Sequence, residues 1–411
     1  MGISALDKIK VLGSELLDSV LGAEQPKMYY DPKGKIKDVL EKLPQLKKKY
    51  RPTPWLSNTH VHLLYFDIIR KKTIKLEYDR IDQLIMQDGG VTAVAWYGYN
   101  LPAETPTIVI MHTITGTPES MRELVKDLHA YTGWRIALCL RRGHAGLPMP
   151  VPRISLFGLT DDLREQLNHI QTFFPKSDLY AVGSSAGTGL LVRYLGEQGL
   201  DTPFKAAFAM CPGYNTEIGF KNVHPFYSKM MTKKLFKYFI HPYQNTWSNI
   251  ASLKKVLTTT SLEEFEKEYF EMAGFQDYQS YCQAINPIYV FENVKIPLMI
   301  LNAEDDPVCS IKNLEPYKEP IQQMSNVAVV TTKKGSHCAF YEGWRSTSWA
   351  ATTSAAIRAW WTRTSSRPRS GTRGRPRMAT PARWPSCGRP SGMSTSRCQS
   401  PSRPPIPGTG R

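Results

Sequence analysis

Gly183-Ser184-Ser185-Ala186-Gly187 is the stretch of this sequence best suited to chemistry. The apolar run Leu179-Tyr180-Ala181-Val182 leads into it, and Leu190, Leu191, Tyr194 and Leu195 follow at helical spacing. A serine between two glycines at such a strand-to-helix reversal has the layout of a nucleophile elbow. Gly183 and Gly187 carry no Cβ, which relieves crowding where strand and helix nearly touch. The hydroxyl of Ser185 then stands clear of the backbone. The N–H of Ala186, at a helix N-terminus, points to any anion formed beside it.

A serine hydroxyl is a weak nucleophile until a base takes its proton, and that base is most often histidine. The histidine needs a carboxylate to fix its tautomer and stabilise its cation. Chemistry at this kind of elbow uses the chain order serine, acid, histidine. The run Met299-Ile300-Leu301-Asn302-Ala303-Glu304-Asp305-Asp306-Pro307 puts acids just past an apolar strand, and Lys334-Gly335-Ser336-His337-Cys338 puts a histidine past the next. Asp306 is the expected partner of His337, with Asp305 as the alternative and Glu304 the least suited of the three. A second oxyanion donor is expected from His112-Thr113-Ile114-Thr115-Gly116, as the backbone N–H of Thr113 or Ile114. His112 is expected to hold that loop by hydrogen bonds. His62 and Asp67 fit the HxxxxD pattern of acyltransferases, but that pattern is frequent by chance and lies far from the elbow in sequence.

These residues must be carried to one edge by a sheet. Thr107–Met111, Arg135–Leu140, the apolar run leading into the elbow, Phe204–Met210, Pro297–Asn302 and Asn326–Thr332 read as strands. Between them, helices are predicted from Thr117-Pro118-Glu119 to Gly133, from a Thr160 cap to about residue 173, and from the elbow to Gly199. This alternation implies an α/β fold with a mostly parallel, doubly wound sheet. Asp88-Gly89 reads as a hairpin turn between antiparallel strands at the sheet edge. Residues 213–292 interrupt the rhythm with Tyr, Phe, Lys and Met in helical patterns and a capping box at Ser261–Glu264. They read as a helical cap beside Ser185. Residues 3–21 place Ile3, Leu6, Ile9, Leu12, Leu16, Leu17 and Val20 at helical spacing. Asp7, Glu15 and Asp18 would be repelled by anionic lipid, so this helix is expected to pack on the domain rather than lie on a membrane.

The formal charge of +16 suggests nucleic acid as a partner, but its distribution argues otherwise. From Arg345 onward there are 13 Arg and no Lys, Asp or Glu; the rest of the chain has a surplus of only +3. No nucleic acid is therefore expected to bind the body of the chain. The Arg/Ser/Pro-rich tail, residues 345–411, is expected to be disordered, and its abrupt composition reads as a frameshifted gene end. Cys139, Cys211, Cys282, Cys309, Cys338, Cys387 and Cys398 are scattered and odd in number, which suggests reduced thiols and gives no metal site. No cofactor motif is present. No run is long enough to span a membrane, and no signal-peptide core is present. A cytoplasmic location is expected, with membrane association as the alternative.

Taken together, several motifs resemble an alpha/beta hydrolase of the YheT-like, embryogenesis-associated-protein-like branch, which includes alpha/beta-hydrolase-domain lipases and medium-chain acyltransferases. They are Tyr50-x-Pro52 with Trp55-Leu56-x-Asn58-x-His60, Asp88-Gly89-Gly90 with Trp96, His112-x-x-Thr115-Gly116, Arg142-Gly143-His144-Ala145-Gly146, the elbow, Asp305-Asp306-Pro307 and Gly335-x-His337. The resemblance spans about residues 50–344, preceded by a helical extension over 1–49. It implies Ser185 as nucleophile, His337 as base and Asp306 or Asp305 as acid. Thr113 stands where that family usually has Gly, which would put a Cβ beside the oxyanion hole and narrow it. The family's closing helix is expected to be missing or poor after Ser346. The implied function is a serine hydrolase cleaving acyl or lipid esters through an acyl-enzyme. Alternatives are an acyltransferase using the same serine, and a non-catalytic binding protein. The implied partner is a small acyl ester or lipid, with peripheral membrane contact as an extension.

Overall fold

The structure, a computed structural model, describes residues 5–343 and 347–348. Nine strands form one sheet: β1 (Lys27–Tyr30), β2 (Arg80–Ile85), β3 (Val91–Tyr97), β4 (Thr107–Met111), β5 (Arg135–Leu140), β6 (Leu179–Ser184), β7 (Phe204–Met210), β8 (Leu298–Ala303) and β9 (Val327–Thr332). Their spatial order is β1-β9-β8-β7-β6-β4-β5-β3-β2. Strands β4 to β9 pair in parallel, while β1, β3 and β2 join antiparallel at the two edges. Strand alternation sorts neighbouring residues to opposite faces. Ile108, Ile110, Tyr180 and Val182 enter one core, and Val109, Met111, Leu179 and Ala181 enter the other. Burial on both faces is why β4 to β9 read as apolar runs rather than as alternating patterns.

The Asp88-Gly89-Gly90 hairpin joins β2 to β3 at the sheet edge, as its turn chemistry implies. Its second glycine has a packing reason. A Cβ on Gly90 would stand 2.2 Å from Arg142 Nη1. Arg142 is buried and donates to Asp162 at 2.8 and 2.6 Å and to Asp88 at 2.7 Å. Removing one partner from such a pair costs about 3–5 kcal/mol, because a buried charge is left uncompensated.

Local starts differ from expectation in three places. The helix after β4 begins at Arg122, not at Thr117–Glu119. Thr117 N–H donates to Ser120 Oγ at 2.8 Å and Ser120 N–H to Thr117 Oγ1 at 3.3 Å, so these groups close a turn instead. Thr160 opens the helix Thr160–Phe173 without capping it; its hydroxyl donates to Glu197 at 2.7 Å. Ser261 Oγ accepts from Glu264 N–H at 3.2 Å, half of the expected capping box. The Glu264 carboxylate accepts from Thr260 N–H rather than from Ser261.

The insertion after β7 is helical, with segments at Pro225–Leu235, Leu253–Thr258, Leu262–Glu268 and Tyr278–Ile285. Trp247, Phe265, Tyr269 and Tyr281 belong to a buried cluster shared with Ile154, Leu156 and Phe157 of the loop after β5. Tyr269 hydroxyl donates to the Ile154 carbonyl at 2.7 Å, tying the insertion to the loop after β5.

The N-terminal segment differs most. Lys27–Tyr30, read as part of a helical extension, is the edge strand β1. In the helix Ala5–Leu21, Leu12, Leu16 and Val20 do not turn inward; they are about seven-tenths exposed. Asp18 is buried in their place, 2.7 Å from Arg51 and 3.0 Å from Lys49. That charge network fixes which side of the helix faces the domain. Past the catalytic-type loops, Tyr341–Glu342 pairs with Thr347–Ser348 in a short hairpin. The expected tail disorder and the closing helix fall on residues outside those described.

Candidate active site

Three loops converge at the C-terminal edge of the sheet. Ser185 follows β6 with φ 51° and ψ −120°, a conformation non-glycine residues seldom adopt. The close approach of the following helix demands Gly187, where a Cβ would stand 2.1 Å from the Met111 carbonyl oxygen. Asp306 follows β8, and His337 follows β9. His337 Nδ1–H donates to Asp306 Oδ2 at 2.7 Å, and Ser185 Oγ–H donates to His337 Nε2 at 2.8 Å. Asp306 Oδ1 accepts from Val308 N–H at 2.7 Å and Cys309 N–H at 2.8 Å. Both carboxylate oxygens are thus used, and the group is held in one orientation.

The neighbouring Asp305 serves the loop rather than the imidazole. Its Oδ1 accepts from Ser336 N–H at 3.0 Å, and its carbonyl accepts from the Thr59 hydroxyl at 2.8 Å. Burial pushes the Asp305 carboxyl up from its usual range. Glu304 turns to Lys27 at 2.9 Å. For His337, burial opposes the cation, but the adjacent Asp306 carboxylate favours it, and the net direction is well above the ordinary imidazole value.

The loop after β4, His112-Thr113-Ile114-Thr115-Gly116, is fixed from behind. Arg141, buried, donates from Nη1 to the His112 carbonyl at 2.9 Å and from Nη2 to the Thr113 carbonyl at 2.8 Å. His112 Nδ1–H also donates to the Thr113 carbonyl at 2.7 Å, and His112 Nε2 accepts from Arg141 N–H at 3.2 Å. His144 Nε2 lies 2.9 Å from the Ile114 carbonyl. Three successive carbonyls are therefore drawn to the Arg141–His144 segment. In a trans peptide the N–H points opposite to its carbonyl, so the N–H groups of Thr113 and Ile114 face away from that clamp. Burial lowers the Arg141 guanidinium to about 9. Arg141 is the residue that sequence reasoning passed over; its only signal was a basic residue directly after an otherwise apolar strand. Thr113 is not in the left-handed region, so its Cβ brings no backbone strain there.

Ser185 and Ala186 open into a cavity of about 70 Å³, whose walls include Ile114, Phe157, Phe220, Met231 and Val308. Its lining is predominantly apolar, while Asn215 and Asn313 bring amides to one part of the wall. Thr113 lines a different cavity. His62 is a buried structural residue, accepting from Tyr341 N–H at 3.1 Å, and Asp67 pairs with Lys234 at 3.0 Å; neither joins Ser185. Among the described residues, two groups bring metal-ligand atoms within 4.8 Å: Cys211, His337 and Cys338, and Asp306, Cys309 and His337. Both use His337, so an ion there would compete with Ser185 for the imidazole.

A parallel sheet whose strand ends carry a strained serine, an aspartate and a histidine in that chain order has the layout of the α/β hydrolases. The alpha/beta hydrolase fold family model matches residues 106–343, more than half of the chain, and the chain belongs to that family. It is 28% identical over 316 residues to phospholipase ABHD3 of Bos taurus, covering 73% of this chain and 75% of that protein. It is 26% identical to the embryogenesis-associated protein EMB8 of Picea glauca, covering 75% and 71%. It is 23% identical to the monoacylglycerol lipase ABHD2 of Homo sapiens, covering 77% and 80%. Among the described residues no helix is long and apolar enough to cross a membrane.

Proposed function

We propose that this protein hydrolyses carboxylic esters with an apolar acyl group, lipid esters among them, through a covalent acyl-enzyme on Ser185. The observation that carries this reading is the continuous hydrogen-bond chain Asp306–His337–Ser185, at 2.7 and 2.8 Å, at the wall of an apolar cavity. His337 takes the Ser185 proton as the oxygen attacks the ester carbonyl, and Asp306 stabilises the imidazolium. The N–H of Ala186, with that of Ile114 or Thr113, receives the oxyanion; losing one such donor costs roughly 3–4 kcal/mol. His337 then gives its proton to the leaving alcohol, and water repeats the sequence to release the acid. The lipase and phospholipase names of the relatives favour a lipid ester. The exposed Leu12, Leu16 and Val20 favour peripheral contact with a membrane surface, where such substrates lie.

A chain-length series of p-nitrophenyl esters tests this. Wild type is expected to turn over acyl chains that fit the cavity, and Ser185→Ala to turn over none above background. Equal rates for the two proteins would overturn the reading.

A further inference from the structure

A second cavity, of about 40 Å³, lies on the other side of the elbow. Ser184, Met210, Thr113, Phe340 and Cys338 form part of its wall, and the half-exposed Phe66, Ser120 and Asp127 form its outer part. The proposed ester chemistry uses none of these side chains. Cys338 directly follows His337 and Cys211 directly follows β7; both sit at positive φ, 58° and 54°. Cys338 N–H donates to Cys211 Sγ at 3.3 Å, and Ser184 Oγ–H donates to Cys338 Sγ at 3.5 Å. The two sulfurs and a ring nitrogen of His337 all lie within 4.8 Å of one another. A thiol that receives a hydroxyl proton and adjoins an imidazole has the surroundings that favour a thiolate.

We propose that Cys338 and Cys211 are a modification site for hydrogen peroxide, and that the disulfide they form withdraws His337 from Ser185. The Asp127 carboxylate in the cavity wall disfavours anionic oxidants and leaves a small neutral one as the fitting reagent. The Cys338 thiolate attacks one peroxide oxygen, the O–O bond breaks, and the departing hydroxide leaves as water after taking a proton. Cys338 is then a sulfenic acid. The Cys211 sulfur attacks the Cys338 sulfur, the S–O bond breaks, and the oxygen leaves as water with the Cys211 proton. Two thiols are oxidised by two electrons and one peroxide is reduced to two waters. Burial disfavours the Cys338 thiolate, but the Cys211 contact and His337 outweigh it, and the thiol lies below its ordinary value. The Cys338 N–H that lies against Cys211 Sγ belongs to the peptide shared with His337, so rearrangement of this contact on sulfur–sulfur bonding acts directly on the residue that carries the imidazole. The effect on Ser185 rests on the hydrolase reading; the thiol chemistry does not.

The test uses the full chain, reduced and desalted, then exposed to hydrogen peroxide, quenched with catalase and alkylated. Peptide mapping is expected to find Cys211 and Cys338 crosslinked, with the loss of two hydrogens. In parallel, fluorophosphonate labelling of Ser185 is expected to slow by more than about tenfold, set against the roughly hundredfold that a 1 Å misplacement can cost. Dithiothreitol is expected to restore it. Cys338→Ala and Cys211→Ala are each expected to prevent the crosslink and to keep labelling fast after peroxide; if one variant does not fold, the other decides. The proposal is overturned if both thiols stay alkylatable in wild type, or if the crosslink forms and Ser185 labels as before. Failure of Ser185 to label in the reduced protein would instead count against the hydrolase reading, and the crosslink would still decide the thiol chemistry.

Discussion

Ser184 and Ser185 are neighbours in the chain, yet the two cavities divide them. Ser184 is the last residue of β6 and keeps to the strand, with its hydroxyl on Cys338 Sγ at 3.5 Å. Ser185 leaves the strand at positive φ and meets His337 at 2.8 Å. The same functional group therefore meets a sulfur at one position and an imidazole at the next. The difference comes from one backbone reversal, made feasible by Gly187 at a contact no Cβ could enter. Asp305 and Asp306 repeat the lesson one loop away. Asp306 reaches the imidazole, and Asp305 braces the backbone that carries it.

Substitutions in these pairs separate the roles of the neighbours. The largest split is expected between the serines: Ser185→Ala should lower kcat by about 10⁶-fold, the scale of nucleophile loss in triad enzymes. Ser184→Ala should change it by less than about tenfold, since the hydroxyl touches only a sulfur and no reacting atom. Comparable losses in both, measured on one soluble ester, would erase the distinction drawn here. Next come the acids. Asp306→Asn should lower kcat by about 10⁴-fold by leaving the imidazole in the wrong tautomer. Asp305→Asn, which keeps an acceptor for Ser336 N–H, should stay within about tenfold.

The clamp behind the oxyanion loop is a milder case. Arg141→Met should lower kcat by about 10²-fold with little change in KM, because misaimed donors matter only once the oxyanion forms. A rise in KM alone would assign Arg141 to substrate binding. The pH profile sharpens the acid pair further. His337 must be neutral to accept the Ser185 proton, and Asp306 raises its pKa. Activity should therefore fall as pH drops through a value above 6.5, the ordinary imidazole pKa. Asp306→Asn should move that limb downward in whatever activity remains. The smallest effect is expected at the N-terminal helix. Leu16→Asp with Val20→Asp should weaken sedimentation with lipid vesicles and leave hydrolysis of a soluble ester unchanged.

The sheet from β4 to β9 was legible in the sequence because strands buried on both faces leave unmistakable apolar runs, each ended by glycine or polar punctuation. The elbow, the acid loop and His337 were legible because the order of chemical groups along such a sheet is constrained. Less could be read where tertiary contacts override local signals. Thr117 and Thr160 have the chemistry of helix caps but spend it on Ser120 and Glu197. Strand β1 has only four residues, too few for a periodic pattern. The orientation of the helix Ala5–Leu21 is set by Asp18 meeting Arg51, a partner 33 positions away. The choice between Asp305 and Asp306 depends on the path of a short loop, and the role of Arg141 depends on carbonyls that no sequence pattern marks.

The central claim is that Ser185, and not its neighbour, is the activated oxygen of this fold. Incubating the folded protein with a fluorophosphonate and locating the adduct by peptide mapping tests it most directly. One adduct on Ser185, lost in His337→Ala while Ser184 stays unmodified, is the predicted result; folded wild type with no adduct at Ser185 would contradict it.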